Sequence, residues 1–414
     1  MSIQLKNVGF VGIGKLGLPC AEVMAEKYAV TGYDIYPRHS NKIAISETME
    51  GACRDKDVIF VAVQTPHDPI YGGEQPIAHL PNRDFDYSTV EQVLADINQY
   101  VTQDQLVVLI STVLPGTTRQ HLRQHITNAR FIYNPYLIAM GSVAWDMVNP
   151  EMIIVGTEDG SETGDAQLLK DFYAPLMQNN PRYAIGTWDE AECIKVFYNT
   201  FISAKISLVN MIQDVAMRQG NINVDVVTNA LAQSTTRIMS PKYMTAGMGD
   251  AGPCHPRDNI ALRYLAEQLN LGYDLFDTIM QARERQADNL AMYLVDLADD
   301  NNLPIVIHGK AYKPDIDMLD GSYSLLIGHY LDEVGMTFNY ADPNTGDSVD
   351  NGTSAVILLA HNRQVTYGYT GSLPEQQLYF TPGSGSIIVD PWRSFTTERT
   401  DLTVIHYGNT RGVF

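Results

Sequence analysis

Residues 7–11 (Asn-Val-Gly-Phe-Val) form a short apolar strand that runs directly into Gly12-Ile13-Gly14-Lys15-Leu16-Gly17. A helical pattern follows through Cys20, Val23, Met24 and Tyr28, and a second strand, 29–33, ends at Asp34. No other stretch narrows the fold as sharply. The strand–turn–helix–strand order turns a short glycine motif into a dinucleotide-binding signature. Gly12 makes the tight turn, Gly14 lets the backbone approach a pyrophosphate, and Gly17 allows close helix–strand packing. The helix N-terminus then faces the phosphates. Asp34, seventeen residues beyond Gly17, is placed to accept hydrogen bonds from both ribose hydroxyls, and its charge repels a 2′-phosphate. NAD is expected ahead of NADP, with Arg38 near enough to keep the second reading open.

Apolar runs at 57–63 and 106–110 are continuous rather than alternating, as expected for parallel strands covered on both faces. Each ends in polar residues, Gln64-Thr65-Pro66 after the first and Ser111-Thr112 after the second. Ligands of open α/β sheets lie beyond such carboxyl ends. Thr65 and Thr112 therefore read as cofactor-side residues, the other reading being turn chemistry beside a proline. Strands at 130–133 and 152–156 extend the sheet.

From 189 onward apolar residues recur at helical spacing, with no proline or glycine before Gly220. Thr187 or Asp189 supplies the N-cap. Lys195 and Asn199, at i,i+4, share one face. A lysine in so apolar a stretch either snorkels to solvent, the commoner case when position alone is known, or is held inside for chemistry. Helices at 222–233 and 257–300 follow, with Cys254 in the loop between them. It lies in the run Gly-Met-Gly-Asp-Ala-Gly-Pro-Cys-His-Pro-Arg-Asp, residues 247–258. Small residues let backbone and substrate approach its sulfur, and His255, Arg257 and Asp258 surround it with charge. A nearby cation favours the thiolate. On this run alone an inert buried cysteine is an equal reading. Beside a nicotinamide cofactor, a nucleophilic cysteine points to oxidation of an alcohol or aldehyde through a covalent thio-intermediate.

Past the turn at 299–304 a second α/β unit begins. It has strands at 305–309, 337–341, 355–359, 386–390 and 402–406, a helix at 322–334, and an irregular stretch between 361 and 384. The expected architecture is two Rossmann-like doubly wound α/β domains joined by the long central helix and a helical middle domain. Its expected bounds are 1–187, 188–300 and 301–414. The 414 residues allow this many cores. A net charge of −20 argues against nucleic acid or anionic membrane as partners, because both repel an acidic surface. Four scattered cysteines without a CxxC pair read as free thiols of a reducing, cytoplasmic setting. No apolar run approaches the ~20 residues of a membrane span, and no metal-ligand spacing is present.

Read in order, the motifs resemble the UDP-glucose/GDP-mannose dehydrogenases, the nucleotide-sugar 6-dehydrogenases, over essentially the full length. They are GFVGIGKLGLP with Asp34, VQTP, STVLPGTT, YNPYLIAMG, NPEMIIVG, ECIKVFYNTFISAKISLVN, GMGDAGPCHPRD, GKAYKPDID and YADP. The resemblance implies a homodimer built on the middle domain and a C-terminal domain that binds the substrate's nucleotide. It implies a four-electron oxidation of a sugar primary alcohol to the carboxylate with two NAD per sugar. Lys195, positioned by Asn199, would act as base and oxyanion partner. Cys254 would carry the thiohemiacetal and thioester, with Asp258 positioning Lys195 and the hydrolytic water and Thr112 near that water. Arg237 would reach the neighbouring subunit's substrate, Gly252 would lie against the substrate, and Lys313 and Arg393 would meet its phosphates.

The chain departs from the family pattern at several points. The carboxylate associated with thioester hydrolysis is replaced by Tyr136, and a further commonly acidic position is Met140. Leu319 stands where an arginine is usual, and the glycine run before Cys254 is one residue longer. The stretch from Asp342 to the strand at 355 is short, which trims a helix. Two other functions are carried alongside: a single-step β-hydroxyacid-type dehydrogenase, for which the Cys254 motif is not expected, and a non-catalytic NAD-binding homologue, favoured only by the loss at Tyr136.

Overall fold

The computed structural model describes residues 5–66, 78, 80, 81, 83–139, 141–240, 245–250, 252, 254–362 and 378–410. The chain divides into two compact units, 1–205 and 206–414. The first contains β1 (Asn7–Val11), α1 (Gly17–Met24), β2 (Ala29–Tyr33), β3 (Ala44–Ile45), α2 (Met49–Cys53), β4 (Val58–Val61) and α3 (Ser88–Ile97). It continues through β5 (Leu106–Leu109), β6 (Arg130–Tyr133), α4 (Val143–Val148), β7 (Met152–Thr157), α5 (Asp165–Tyr173) and β8 (Arg182–Thr187). The long helix α6 (Trp188–Gln219) runs across the division. The sheet order is β3-β2-β1-β4-β5-β6-β7-β8. Strands β1 to β6 are parallel, and β7 turns antiparallel to β6 at the pair Tyr133–Gly156.

The continuous apolar runs fold as strands because alternate residues feed two different cores. Phe10, Phe60, Val108 and Ile132 point to the side covered by α1, α4 and α5. Val11, Val61, Leu109 and Tyr133 point to the other side, where α3 and the start of α6 pack through Leu94, Trp188 and Ala191. Both faces are thus dry, which leaves the strand ends as the places where polar groups meet solvent.

The second unit holds α7 (Val224–Ala232), α8 (Cys254–Gln268), α9 (Leu275–Asn301), β9 (Ile305–His308), α10 (Tyr323–Glu333) and β10 (Phe338–Ala341). The last strands are β11 (Val356–Leu359), β12 (Ile387–Asp390) and β13 (Thr403–His406), all parallel in the order β10-β9-β11-β12-β13. Helices α9 and α10 cover one face through Leu290, Leu294 and Ile327. Residues 342–355 join β10 to β11 with a single 3-10 turn, Pro343–Thr345, and no α-helix, as the short stretch predicts.

Two expectations need correction. The stretch 257–300 is two helices, not one. Asn270 and Gly272 adopt left-handed backbone, with φ 54° and 84°. That backbone stops α8, and the Asp274 carboxylate caps α9 by accepting from Asp277 N. Cys254 is the first residue of α8 rather than part of the preceding loop. Residues 363–377, within the irregular stretch, and Met140 lie outside the described residues.

Candidate active site

The strand order reverses between β1 and β4, and ligands of open α/β sheets bind at such a switch point. A cavity of about 580 Å³ lies there, lined among others by Leu16, Thr65, Ser111, Thr112, Tyr136 and Lys195. Gly12 has φ +92°, and a Cβ there would sit 2.6 Å from the Ala62 carbonyl oxygen. A Cβ at Gly17 would lie 1.9 Å from Gly12 O, so helix and turn touch backbone to backbone. Gly14 faces open space, with nothing within 4 Å of its would-be Cβ. Ile13 is buried and Lys15 exposed. The walls are locked: Thr65 Oγ1 donates to Thr112 O at 2.8 Å and Ser111 Oγ to Val63 O at 2.5 Å. At the end of β2, Asp34 accepts from Tyr36 N at 3.0 Å and lies 3.6 Å from the Arg38 guanidinium. An open glycine turn at a helix start, a roomy cavity and a carboxylate at the next strand end together fit a dinucleotide.

Lys195 reaches this cavity because α6 is held at its N-terminus. Thr187 and Glu190 form a capping box. Glu190 N donates to Thr187 Oγ1 at 3.3 Å and Thr187 N to Glu190 Oε2 at 2.8 Å. Of the two expected caps, Thr187 is the one used. One turn into the helix, fully buried Glu192 accepts from Gly116 N at 2.6 Å and Thr118 N at 2.7 Å. Burial pushes its carboxyl up to about 7 in spite of those donors. Glu192 was not singled out from the sequence; its signal was an acid three residues before Lys195 on an otherwise apolar face. Lys195 itself is half-buried and donates to Tyr136 O at 2.7 Å. Desolvation lowers its pKa from the usual lysine value. The snorkelling reading is therefore set aside. Asn199, one turn further, is exposed.

Tyr136 meets the site with its carbonyl. Its hydroxyl is buried 2.9 Å from Tyr173 Oη, and Tyr173 donates its single proton to Asn134 Oδ1 at 2.5 Å. Tyr136 is then the donor of the pair. Burial raises its pKa well above the phenol range, so this side chain supplies no base.

The remaining candidates belong to the second unit. Cys254 and Asp258 are one turn apart at the start of α8, and Asp258 is exposed and paired with Arg257 at 2.9 Å. Arg237 is exposed. Gly252 is buried, has φ +96° and donates its N–H to Gly321 O at 3.1 Å. Lys313 lies over the Tyr312 ring, 5.3 Å from its centre. The Arg393 guanidinium donates to the carbonyls of Pro391, Tyr407 and Ala246. Burial raises the thiols of Cys20 and Cys53 to about 12 and also lifts Cys193, which disfavours all three as nucleophiles. Among the described residues no group of acids, histidines and cysteines is placed to hold a metal, and no helix is long and apolar enough to cross a membrane.

Fold and cavity define a dinucleotide-binding protein of the Rossmann-like α/β class. Residues 36–177 match the UDP-glucose/GDP-mannose dehydrogenase family, NAD binding domain, and residues 189–285 match its central domain. Together these cover more than half of the chain, which belongs to that family. The chain is 24% identical to UDP-glucose 6-dehydrogenase of Rickettsia prowazekii over 71% of its own length and 65% of the relative's. It is 24% identical to that of Gallus gallus over 87% and 81%. It is 26% identical to the uncharacterized protein MJ1054 of Methanocaldococcus jannaschii over 61% of this chain, but that stretch is only 30% of MJ1054. The fold matches GDP-mannose dehydrogenase from Pseudomonas aeruginosa with a TM-score of 0.76, covering 96% of this chain and 99% of that one at 19% identity.

Asp34 is expected to make the protein prefer NAD, through repulsion of a 2′-phosphate that the Arg38 contact only partly offsets. Asp34→Ser should narrow the NAD/NADP ratio of kcat/KM by at least ~10-fold, a change of about 1.4 kcal/mol. Equal kcat/KM for both cofactors in the unaltered protein contradicts this. A base must be neutral, so with Lys195 as the base proposed below, activity is expected to rise with pH through its pKa. Burial places that inflection below the usual lysine value of ~10.4. Lys195→Ala should slow the first hydride transfer ~10²–10⁴-fold and erase the inflection. Stopped-flow NADH traces across pH read both effects, and an unchanged profile removes Lys195 from the chemistry.

Proposed function

We infer that the protein oxidises the C6 primary alcohol of a nucleotide sugar, a UDP-hexose as first choice, to the uronate in two NAD-dependent steps. The observation that carries the reading is Lys195, half-buried and of lowered pKa, lining the same cavity as Thr65 and Thr112 beside the glycine turn. NAD, when bound, takes up hydride. Lys195 accepts the proton of the C6 hydroxyl and its ammonium form steadies the developing alkoxide. The Cys254 thiol adds to the aldehyde carbon, giving a thiohemiacetal. Loss of a second hydride and of the hydroxyl proton leaves a thioester, and water splits it to carboxylate and free thiol. Asn199 and Asp258 orient Lys195 and the water, with Thr112 near that water. Gly252, Lys313 and, across a dimer interface, Arg237 meet the substrate.

The parts proposed for these tasks are 1–187 for the cofactor, 188–300 for catalysis and dimerisation, and 301–414 for the nucleotide of the substrate. A homodimer is supported by the apolar side chains that α6 leaves exposed: Phe197 (64%), Phe201 (56%) and Ile206 (52%). Two-fold pairing is the commonest way to bury such a stripe. The free cysteines fit a reducing, cytoplasmic setting.

With Tyr136 turned into the core, hydrolysis lacks the anionic base usual at that position. Losing such a base costs ~10²–10⁴-fold in the step it serves. NADH counted against a panel of UDP- and GDP-hexoses is expected to reach two per sugar with the true substrate. Intact-protein mass spectrometry should show an acyl adduct on Cys254 in the steady state. One NADH per sugar with free aldehyde contradicts the two-step reaction, and two NADH without adduct shows that hydrolysis is not slow. Light scattering at micromolar concentration should give a dimer; a monomer alone rules the α6 pairing out.

A further inference from the structure

Two glycines ahead of Cys254 are packed against the turn that follows β12 and the first residue of α10. Gly247 lies flat on Trp392, where a Cβ would fall 2.2 Å from ring atom Cε3. Gly249 meets Tyr323 in the same way, at 2.1 Å. On either side of them, Ala246 O accepts from Arg393 Nη2 at 2.5 Å, Asp250 pairs with Arg283, and Gly252 N donates to Gly321 O. The wall itself is stiff. Buried Asp390, at the end of β12, accepts from the backbone N–H groups of Trp392, Ser394 and Phe395 at 2.9, 2.6 and 2.7 Å. The indole N–H donates to Leu359 O at 2.9 Å. Tyr323 is buried and donates to Arg283 O at 3.0 Å. A ring pressed on a glycine leaves no room for a side chain, so the contact fixes the backbone rather than merely covering it.

We propose that Trp392, Tyr323 and Arg393 are positioning residues, a cradle by which the turn after β12 and the start of α10 set the placement of the segment that delivers Cys254. The inference rests on Cys254 being the nucleophile. It gives Arg393 a task other than binding phosphate: its guanidinium already holds three carbonyls, one of them in the cysteine segment. It also assigns Gly247 and Gly249 to ring contact rather than to approach of the substrate.

The test is a double-mutant cycle of Gly247→Ala and Trp392→Leu in the full chain, read by kcat, KM and the rate of Cys254 alkylation by iodoacetamide without substrate. Misplacement by about an ångström costs about 10²-fold in rate. Gly247→Ala should lower kcat by about that factor with KM for NAD and sugar nucleotide within about threefold, and change the alkylation rate ~10-fold or more. Adding Trp392→Leu makes room for the new methyl and should recover most of both losses, a non-additivity expected only of residues in contact. Arg393→Lys, a milder change, should lower kcat at unchanged KM. Additive effects in the cycle, or an Arg393→Lys variant altered in KM alone, overturn the cradle. Because alkylation is read without substrate, failure of every nucleotide sugar to yield NADH would fall on the proposed function and leave the cycle to judge the cradle.

Discussion

Two backbone N–H groups aimed at one buried carboxylate hold the first unit's working parts together. Glu192 joins the start of α6 to the segment 116–118 that follows β5. The same connection begins with Ser111 and Thr112, which wall the cavity, and the same helix carries Lys195 one turn later. Removing the carboxylate would leave two buried donors unpaired, at ~1–3 kcal/mol each. Arg119 and Asp189, in a more exposed pair at 2.8 Å, span the same junction. Lysine and cofactor wall therefore share one frame, and the lowered Lys195 pKa is a consequence of where that frame places the ammonium.

The same economy of backbone groups appears at Tyr136. Its carbonyl receives Lys195, while its ring and hydroxyl enter the core toward Tyr173 and Asn134. A carboxylate at this position would have to desolvate in that direction or turn toward the cavity. The phenol resolves the choice in favour of packing, and the proposed chemistry is left to Lys195 in this unit and to Cys254 and Asp258 in the other.

Much of this was legible in the residues. The glycine turn, its flanking strands and Asp34 are local, and local steric rules decide them. The long helix follows from a period of apolar residues, whereas Lys195 is singled out by the family resemblance, since its position alone fits snorkelling as well. What escaped reading depends on distant partners. Glu192 looks like one acid among several at a helix start until Gly116 and Thr118 are brought against it. The break at Asn270 was hidden because left-handed asparagine is not marked by composition alone. The family resemblance implies a phosphate contact for Arg393, yet a guanidinium serves equally to gather carbonyls, and only the fold shows Ala246 beside it.

The central claim is that Lys195 and Cys254 act on the same substrate carbon. A structure of the protein with NAD and its sugar nucleotide bound tests it directly. Lys195 Nζ is expected within hydrogen-bond reach of the C6 oxygen, ~2.6–3.2 Å, and Cys254 Sγ at near-attack distance of C6, ~3–3.5 Å. A bound substrate whose C6 meets Lys195 while Cys254 stays more than about 8 Å away, over twice that near-attack distance, would contradict it.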